Sequence, residues 1–471
     1  MSSVPQEARI QRTAASAVDP FASPHQLDPD LQTFLHRTSD LLAQWMGSAA
    51  AGSPLPSVRP QPPVAPSTEG AAMEQLLGDL QTVMDGAFQP SHPGSLAHLD
   101  PPPLTASIAA ELVCAGLNNN LLAEELSPGL SSLEQQLCAW FCSRLDLPDQ
   151  AGGVLASGGT LSNLMGLVVA RAAASTADRG VILCSRDAHV SLQKATMVMG
   201  LSADALQQLP VDEDGRLCPQ ALADAIQALQ VAGRPCLAVV ATAGTTVRGA
   251  IDPLPQIAKQ CAEHGIWLHV DAAIGGVFAL SSATESLMEG LNAADSITLN
   301  PQKLLGITKA SSLLLVRDKQ RLRRAFSTGL PYMEPAMGDH HGGEAGLQGT
   351  RPAEVLKLWL GLRQLGEQGI TAVLEGALSR RRQLQRHLHS DRLALLGGDL
   401  HLLAFRPRQA DQQQTQRWSE ATRISLLQNG FLLSRPQYDG HYWLKAVLGN
   451  PHTSADQLKQ LSDLVLSDLP R

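Results

Sequence analysis

Between Gly152 and Val316 the chain alternates in a way that leaves few folds open. Short β-rich runs at 181–184, 206–209, 236–241, 266–270, 296–299 and 312–316 are separated by helical patterns at 162–174, 191–199, 219–230 and 254–264. The runs are apolar on both faces. A strand buried on both sides needs helices over each face, so the pattern predicts an α/β fold: βαβ units around a mainly parallel sheet. In such sheets ligands gather at the carboxyl ends of the strands. The residues able to do chemistry fall at those ends: Asp187-Ala188-His189 after the first run, Gly244-Thr245-Thr246 after the third, Asp271 after the fourth and Lys303 after the fifth.

The flanks read differently. A helix is expected over 28–45, then an Ala/Ser/Pro-rich linker or arm over 47–70, then helices at 71–86, 104–116 and 131–145, the last opening on Ser131-x-x-Glu134 as a capping box. Residues 326–350 are glycine-rich and predict a mobile loop. Beyond them the pattern gives helices at 352–366 and 371–389, a strand at 399–405, a helix at 415–428, strands at 430–434 and 441–447, and a last helix at 455–468. The expected organisation is an N-terminal arm (1–70), an N-terminal helical segment (71–150), a large domain (151–370) and a small α+β domain (371–471).

Charge and cysteine usage narrow the partners. With 36 basic against 44 acidic residues and no basic run, nothing points to nucleic acid. No apolar run reaches the roughly 18 residues of a membrane span. The first residues lack a basic segment followed by an apolar one, so no secretory signal is expected. The seven cysteines are scattered, odd in number and without a C-x-x-C pair, which suits core positions in a reducing cytoplasm. His340 and His341 have no third ligand at useful spacing, so no metal site is expected.

Three stretches carry the chemistry. Ser157-Gly158-Gly159-Thr160-Leu161-Ser162-Asn163 puts glycines and hydroxyls at a helix start, where free N–H groups favour a phosphate; a simple capped helix is the alternative. His269-Val270-Asp271-Ala272-Ala273 puts a carboxylate at a buried strand end, where it needs a cation, either a pyridinium or a base such as His269. Asn300-Pro301-Gln302-Lys303 puts an amine on the loop after the next strand, with Lys309 as its competitor. An amine to bind an aldehyde and an acid to hold a pyridine nitrogen protonated are what pyridoxal phosphate requires. His189 fits either a ring-stacking residue or an ordinary loop histidine.

Together these motifs resemble the fold-type I, pyridoxal phosphate-dependent group II amino-acid decarboxylases. The resemblance covers roughly residues 75–470. It is carried by His92-Pro93, Ser127-Pro128 with Glu134, Ser157-Gly158-Gly159-Thr160, Ala188-His189, Gly244-Thr245-Thr246, His269-Val270-Asp271-Ala272-Ala273, Asn300-Pro301-x-Lys303 and Leu356-Lys357-Leu358-Trp359, in the family's order. It implies that Lys303 is the Schiff-base lysine, that Asp271 faces the pyridine nitrogen and that His189 stacks on the ring. It implies that Gly159, Thr160 and Asn300 hold the phosphate and that Thr246 and Ala273 flank the ring. Tyr332 falls where the family keeps a loop tyrosine that reaches the neighbouring subunit's site as proton donor. Arg351 and His98 fall at positions that touch a distal carboxylate in glutamate-acting members. A homodimer with sites at the interface is also implied.

Two departures stand out. Gln302 replaces a family histidine near the phosphate and is expected to keep a hydrogen bond there. Gly94, Ser95 and Leu96 replace bulky aromatics, which argues against an aromatic substrate. The function expected is decarboxylation of an amino acid to an amine and CO2, glutamate or aspartate first and 2,4-diaminobutyrate second. An aldehyde-forming oxidative decarboxylation, a transamination and a non-catalytic relative stay open.

Overall fold

The computed structural model describes residues 20–174, 180–329 and 341–470. Four helices precede the sheet: α1 (Pro29–Gly47), α2 (Met73–Asp85), α3 (Thr105–Leu117) and α4 (Pro128–Arg144). Asp28 caps α1 by accepting from the N–H groups of Asp30 and Leu31. Yet α1 buries none of its residues, and Phe21, Leu27 and Leu31 are exposed beside it. The helical stripe is half-covered: Phe34, Leu35, Leu41, Leu42 and Trp45 are partly buried, and Arg37 pairs with Glu74 of α2.

The centre is built from β1 (Gly152–Ala156), α5 (Gly159–Ala173), β2 (Val181–Ser185), α6 (Ser191–Val198), β3 (Leu206–Leu209), α7 (Pro219–Val231), β4 (Cys236–Thr242), α8 (Leu254–His264), β5 (Trp267–Ala272), β6 (Ser296–Leu299) and β7 (Ser312–Val316). Among the described residues these strands form one seven-stranded sheet in the order β1-β7-β6-β5-β4-β2-β3. The pairs from β6 across to β3 are parallel, while β7 is antiparallel to both of its neighbours. All residues of β2, β6 and β7 are buried, which explains their lack of apolar–polar alternation. Register aligns Thr242, Asp271 and Thr298 across β4, β5 and β6, so the acid lies at the carboxyl end of the parallel core. Helix α5 crosses this end closely. A Cβ on Gly166 would stand 2.6 Å from His269 Cε1, so only glycine allows the approach.

After α9 (Gln320–Phe326) comes α10 (Val355–His387), then β8 (Leu393–Leu396), β9 (Leu402–Pro407), α11 (Gln412–Gln428), the hairpin β10 (Gln437–Tyr438) and β11 (His441–Tyr442), β12 (Leu444–Val447) and α12 (Ala455–Ser467). β12, β9 and β8 form a second, antiparallel sheet with its own core around Phe405, Leu426, Leu444 and Leu461. The sheets meet where Leu400 packs against Gly244, a residue at φ 111 whose Cβ would lie 2.7 Å from the leucine.

Several expectations need correcting. β1 and β8 were not foreseen as strands. The helices expected at 352–366 and 371–389 need no correction: α10 is two helices parted at Gly366, whose φ of 60 and ψ of 178 are not helical. Residues 430–434 form no strand and make only the isolated bridges Ser95–Leu432 and Ser434–Lys445. The run 441–447 divides at Trp443. Helix α4 starts at Pro128 rather than after Ser131, and Glu134 turns away from any capping box to meet Arg351. The loop expected over 326–350 lies partly outside the described residues.

Candidate active site

The carboxyl ends of β4, β5 and β6 and the start of α5 enclose a cavity of about 150 Å³. One wall is Gly159 and Thr160, the first residues of α5, whose N–H groups precede the helix's own carbonyl acceptors. A Cβ on Gly159 would come within 3.3 Å of Asn300 Nδ2, so glycine leaves this end open. Asn300 closes the same wall, and its buried side-chain oxygen has no hydrogen-bond partner. Free helix-start N–H donors suit a phosphate, and the Asn300 amide nitrogen is a further donor at this wall; its orphaned oxygen is an acceptor and needs a donor instead. Thr246, Ala273 and His189 face the middle, and Asp271 and Lys303 complete the lining.

A directed set of hydrogen bonds fixes Asp271. Trp267 Nε1 donates to Ser296 Oγ (2.9 Å), and Ser296 Oγ meets His269 Nδ1 (2.8 Å). His269 Nε2 meets Asn163 Oδ1 (3.1 Å), and Asn163 Nδ2 donates to Asp271 Oδ2 (2.8 Å) and to Ser191 Oγ (2.8 Å). Because an amide oxygen only accepts, His269 carries its proton on Nε2. Ala273 N donates to Asp271 Oδ1 (3.2 Å). Burial pushes the His269 imidazole well below its ordinary pKa, so it is neutral and is no counter-ion to Asp271. The acid therefore has neutral donors and no ion pair among the described residues. A cationic group on a bound ligand would supply the missing charge.

Lys303 is shifted too. Burial lowers its pKa, against the opposing pull of Asp271 and Asp100, which favours the free amine that attacks an aldehyde. Lys309 is exposed, pairs with Asp100 at 3.0 Å and does not line the cavity. His189 Nδ1 accepts from Ser191 N (3.2 Å), and burial lowers its pKa, so it stays neutral with its proton on Nε2.

Three site residues expected from the sequence lie elsewhere. Arg351 is buried and bidentate on Glu134, Nη1–Oε2 2.5 Å and Nη2–Oε1 2.8 Å, beside a separate cavity of about 490 Å³. Its charge is spent on Glu134, which joins the segment after residue 341 to α4 and β1. Gln302 turns its side-chain carbonyl to Ser311 N (2.5 Å) and does not line the cavity. His98 is exposed and sits edge-on to Phe88 at 6.3 Å, outside the lining. Tyr332 lies outside the described residues.

Two residues went unassigned in the sequence. Asn163 ends a quoted motif; a buried amide among Leu161, Leu164 and Met165 was the available signal. Lys445 is the single charge in Leu444-Lys445-Ala446-Val447. It is buried, donates to Thr246 O (3.0 Å) and has no ion pair among the described residues. Burial, helped by the charge of Lys303, lowers its pKa to about 8.

A parallel sheet whose strand ends bring together a lysine, an aspartate and a phosphate-ready helix start defines a pyridoxal phosphate enzyme of fold-type I. The chain belongs to the pyridoxal-dependent decarboxylases: the family model described as the pyridoxal-dependent decarboxylase conserved domain matches residues 56–396. It is 32% identical over 412 residues to an L-2,4-diaminobutyrate decarboxylase of Rhizobium meliloti (strain 1021), covering 84% of this chain and 82% of the relative. It is 30% identical over 338 residues to the cysteine sulfinic acid decarboxylase of Mus musculus, covering 67% of each. The solved Oryza sativa TDC with PLP and tryptamine superposes at a TM-score of 0.88 over 95% of this chain and 99% of that one, at 22% identity, a likeness of fold. No described helix is long and apolar enough to cross a membrane.

Proposed function

We propose that this pyridoxal phosphate-dependent carboxy-lyase acts on a small acidic L-amino acid, glutamate or aspartate, at the cavity closed by Lys303 and Asp271. The observation that carries the reading is the pairing itself: an amine of lowered pKa and a carboxylate without a counter-charge line one cavity of about 150 Å³. When bound, the cofactor supplies an electron-accepting ring for the pair released as CO2 leaves. Asp271 holds the proton on the ring nitrogen, and Asn163 keeps that carboxylate aimed. His189 packs on the ring. Gly159, Thr160 and Asn300 hold the phosphate, and Thr246 and Ala273 flank the ring. Lys303 exchanges with the substrate's amino group. Tyr332 returns a proton to Cα, an assignment resting on the family resemblance.

Cations favour the acidic substrate. Lys445, held on Thr246 O just outside the lining, would take one carboxylate, and His98 lies close enough to Lys445 and Arg423 to feel their charges. Asp271 is the only carboxylate lining the cavity among the described residues, which leaves a distal ammonium without a partner there. The second reading is 2,4-diaminobutyrate, favoured by the identity to the Rhizobium enzyme, with Asp100 as the nearby acid. We also propose a homodimer, as the family resemblance implies, which would cover the exposed Phe21, Leu27 and Leu31 at the start of α1, and a cytoplasmic setting, since all seven cysteines are free.

The test is to titrate the purified protein with pyridoxal phosphate, record its visible absorption, and assay CO2 and amine over a panel of amino acids beside Lys303→Ala. A coloured wild type releasing CO2 and amine from glutamate or aspartate supports the reading, provided the variant does neither. CO2 from diaminobutyrate alone moves the second reading forward. Aldehyde, ammonia and peroxide in place of amine would replace decarboxylation by its oxidative form.

A further inference from the structure

The hairpin of the smaller sheet reaches into the loops that carry the cofactor-side residues. Tyr438 in β10 donates from its hydroxyl to Asp187 Oδ2 at 2.6 Å. Asp187 stands two residues before His189, and its side chain is only 9% exposed. The Arg248 guanidinium bears on the same phenol oxygen and lies two residues beyond Thr246. Arg248 is itself buried and donates from Nη2 to Glu213 O (2.8 Å), while its backbone carbonyl accepts from Gly398 N (2.6 Å). One phenol therefore sits between the loop that ends in His189 and the turn that begins with Thr245 and Thr246.

We propose that Tyr438 is a positioning residue that fastens these two loops in the geometry the cofactor needs. This rests on the proposed role of the cavity as the pyridoxal phosphate site. The hairpin is stiff enough to act as an anchor. Trp443 Nε1 donates to Tyr438 O (3.0 Å), Arg406 stacks over Trp443 (4.9 Å) and Arg435 over Tyr442 (4.3 Å). Burial and the neighbouring Asp187 raise the phenol's pKa, so it stays a donor across the working range. A hydrogen bond to a carboxylate is among the stronger ones, and losing its donor leaves Asp187 largely enclosed and without that bond. The effect reaches the ring through His189 and Thr246, without contact between Tyr438 and the cavity lining.

The experiment compares wild type, Tyr438→Phe, Asp187→Asn and the double variant. Each is measured for pyridoxal phosphate affinity, for the visible circular dichroism of the bound cofactor and for thermal unfolding without cofactor. The expected result is a Kd raised roughly tenfold in each single variant, with the double no worse than the weaker single. The visible dichroic band should change in shape or size, and cofactor-free unfolding should shift down modestly in Tyr438→Phe because Asp187 loses its donor. Wild-type affinity and an unchanged band in Tyr438→Phe would overturn the proposal, as would a fall in cofactor-free stability with the band intact. Should Tyr438→Phe fail to fold, Asp187→Asn carries the same reading: an altered band supports the proposal and an unaltered one overturns it. A wild type that binds no pyridoxal phosphate would overturn the proposed function, and this inference with it.

Discussion

Two of the buried carboxylates, Glu134 and Asp271, are satisfied in opposite ways. Glu134, on α4, accepts both terminal nitrogens of Arg351 and also Leu155 N (3.3 Å). Asp271, at the end of β5, accepts only from Asn163 and Ala273. Both lie within apolar surroundings, where an uncompensated charge is costly. At Glu134 the fold supplies the opposite charge from its own chain, so the pair is structural. At Asp271 the fold supplies neutral donors and keeps both nearby histidines, His269 and His189, neutral, which on our proposal leaves the compensating cation to the ligand. Asp252 and Glu344, also buried and met only by backbone and hydroxyl donors, show that an unpaired carboxylate points to a site only where, like Asp271, it also lines a cavity. Arg351, chosen from the family resemblance, failed that criterion once its partner was seen.

The largest expected effect breaks the comparison on the Asp271 side. Asp271→Asn keeps the shape and removes the charge, and should lower kcat by roughly 10³-fold with the fold intact. Single-turnover CO2 release from the loaded variant checks it; a loss under tenfold would mean Asp271 is no electrostatic partner of the ring. On the other side, Arg351→Met leaves Glu134 buried and unpaired and should cost about 3–5 kcal/mol of stability. Denaturant unfolding measures that. An unchanged midpoint with a raised KM would return Arg351 to the substrate. Asn163→Leu should weaken pyridoxal phosphate binding about tenfold by removing a hydrogen bond to a charged acceptor, read by absorbance titration.

The smallest effect is a pH dependence. Lys445, lowered to about 8 by burial, is charged below that pH and neutral above it. If its ammonium holds a substrate carboxylate, KM should rise above about pH 8. Lys445→Arg, charged at all working pH, should abolish the rise. A KM profile identical in the two proteins would remove Lys445 from substrate binding.

Much of the sheet was legible because doubly buried strands announce themselves as unbroken apolar runs of four to six residues. β2 and β4 to β7 were visible in that way, whereas β3, Leu206-Gln207-Gln208-Leu209, is an edge strand with two glutamines and only Leu209 buried. β1 was not, since Gly152-Gly153-Val154-Leu155-Ala156 opens with two glycines and reads as a loop. Their reason is packing: a Cβ on Gly153 would meet Leu314 O at 2.6 Å. Asp271 and Lys303 were legible from their place after strands. Lys445 was hidden because it approaches the cavity from β12 of the other sheet, over a hundred residues along the chain. Gln302 shows the reverse limit: the spacing is a phosphate-side motif, but Ser311 N claims the side chain.

By itself the sequence determined the α/β class, most strands of the parallel core and two of the residues, Asp271 and Lys303, that line the cavity. Those follow from local periodicity and from side chains that lie a fixed step beyond a strand. Tertiary structure alone decided which charges are spent on each other, as in Glu134 and Arg351, and which are left for a ligand, as in Asp271. Pairing is a matter of distance between segments far apart in the chain, Glu134 to Arg351 or Thr246 to Lys445. No periodicity encodes that distance; only the packing of α4, α5, β5 and β12 sets it.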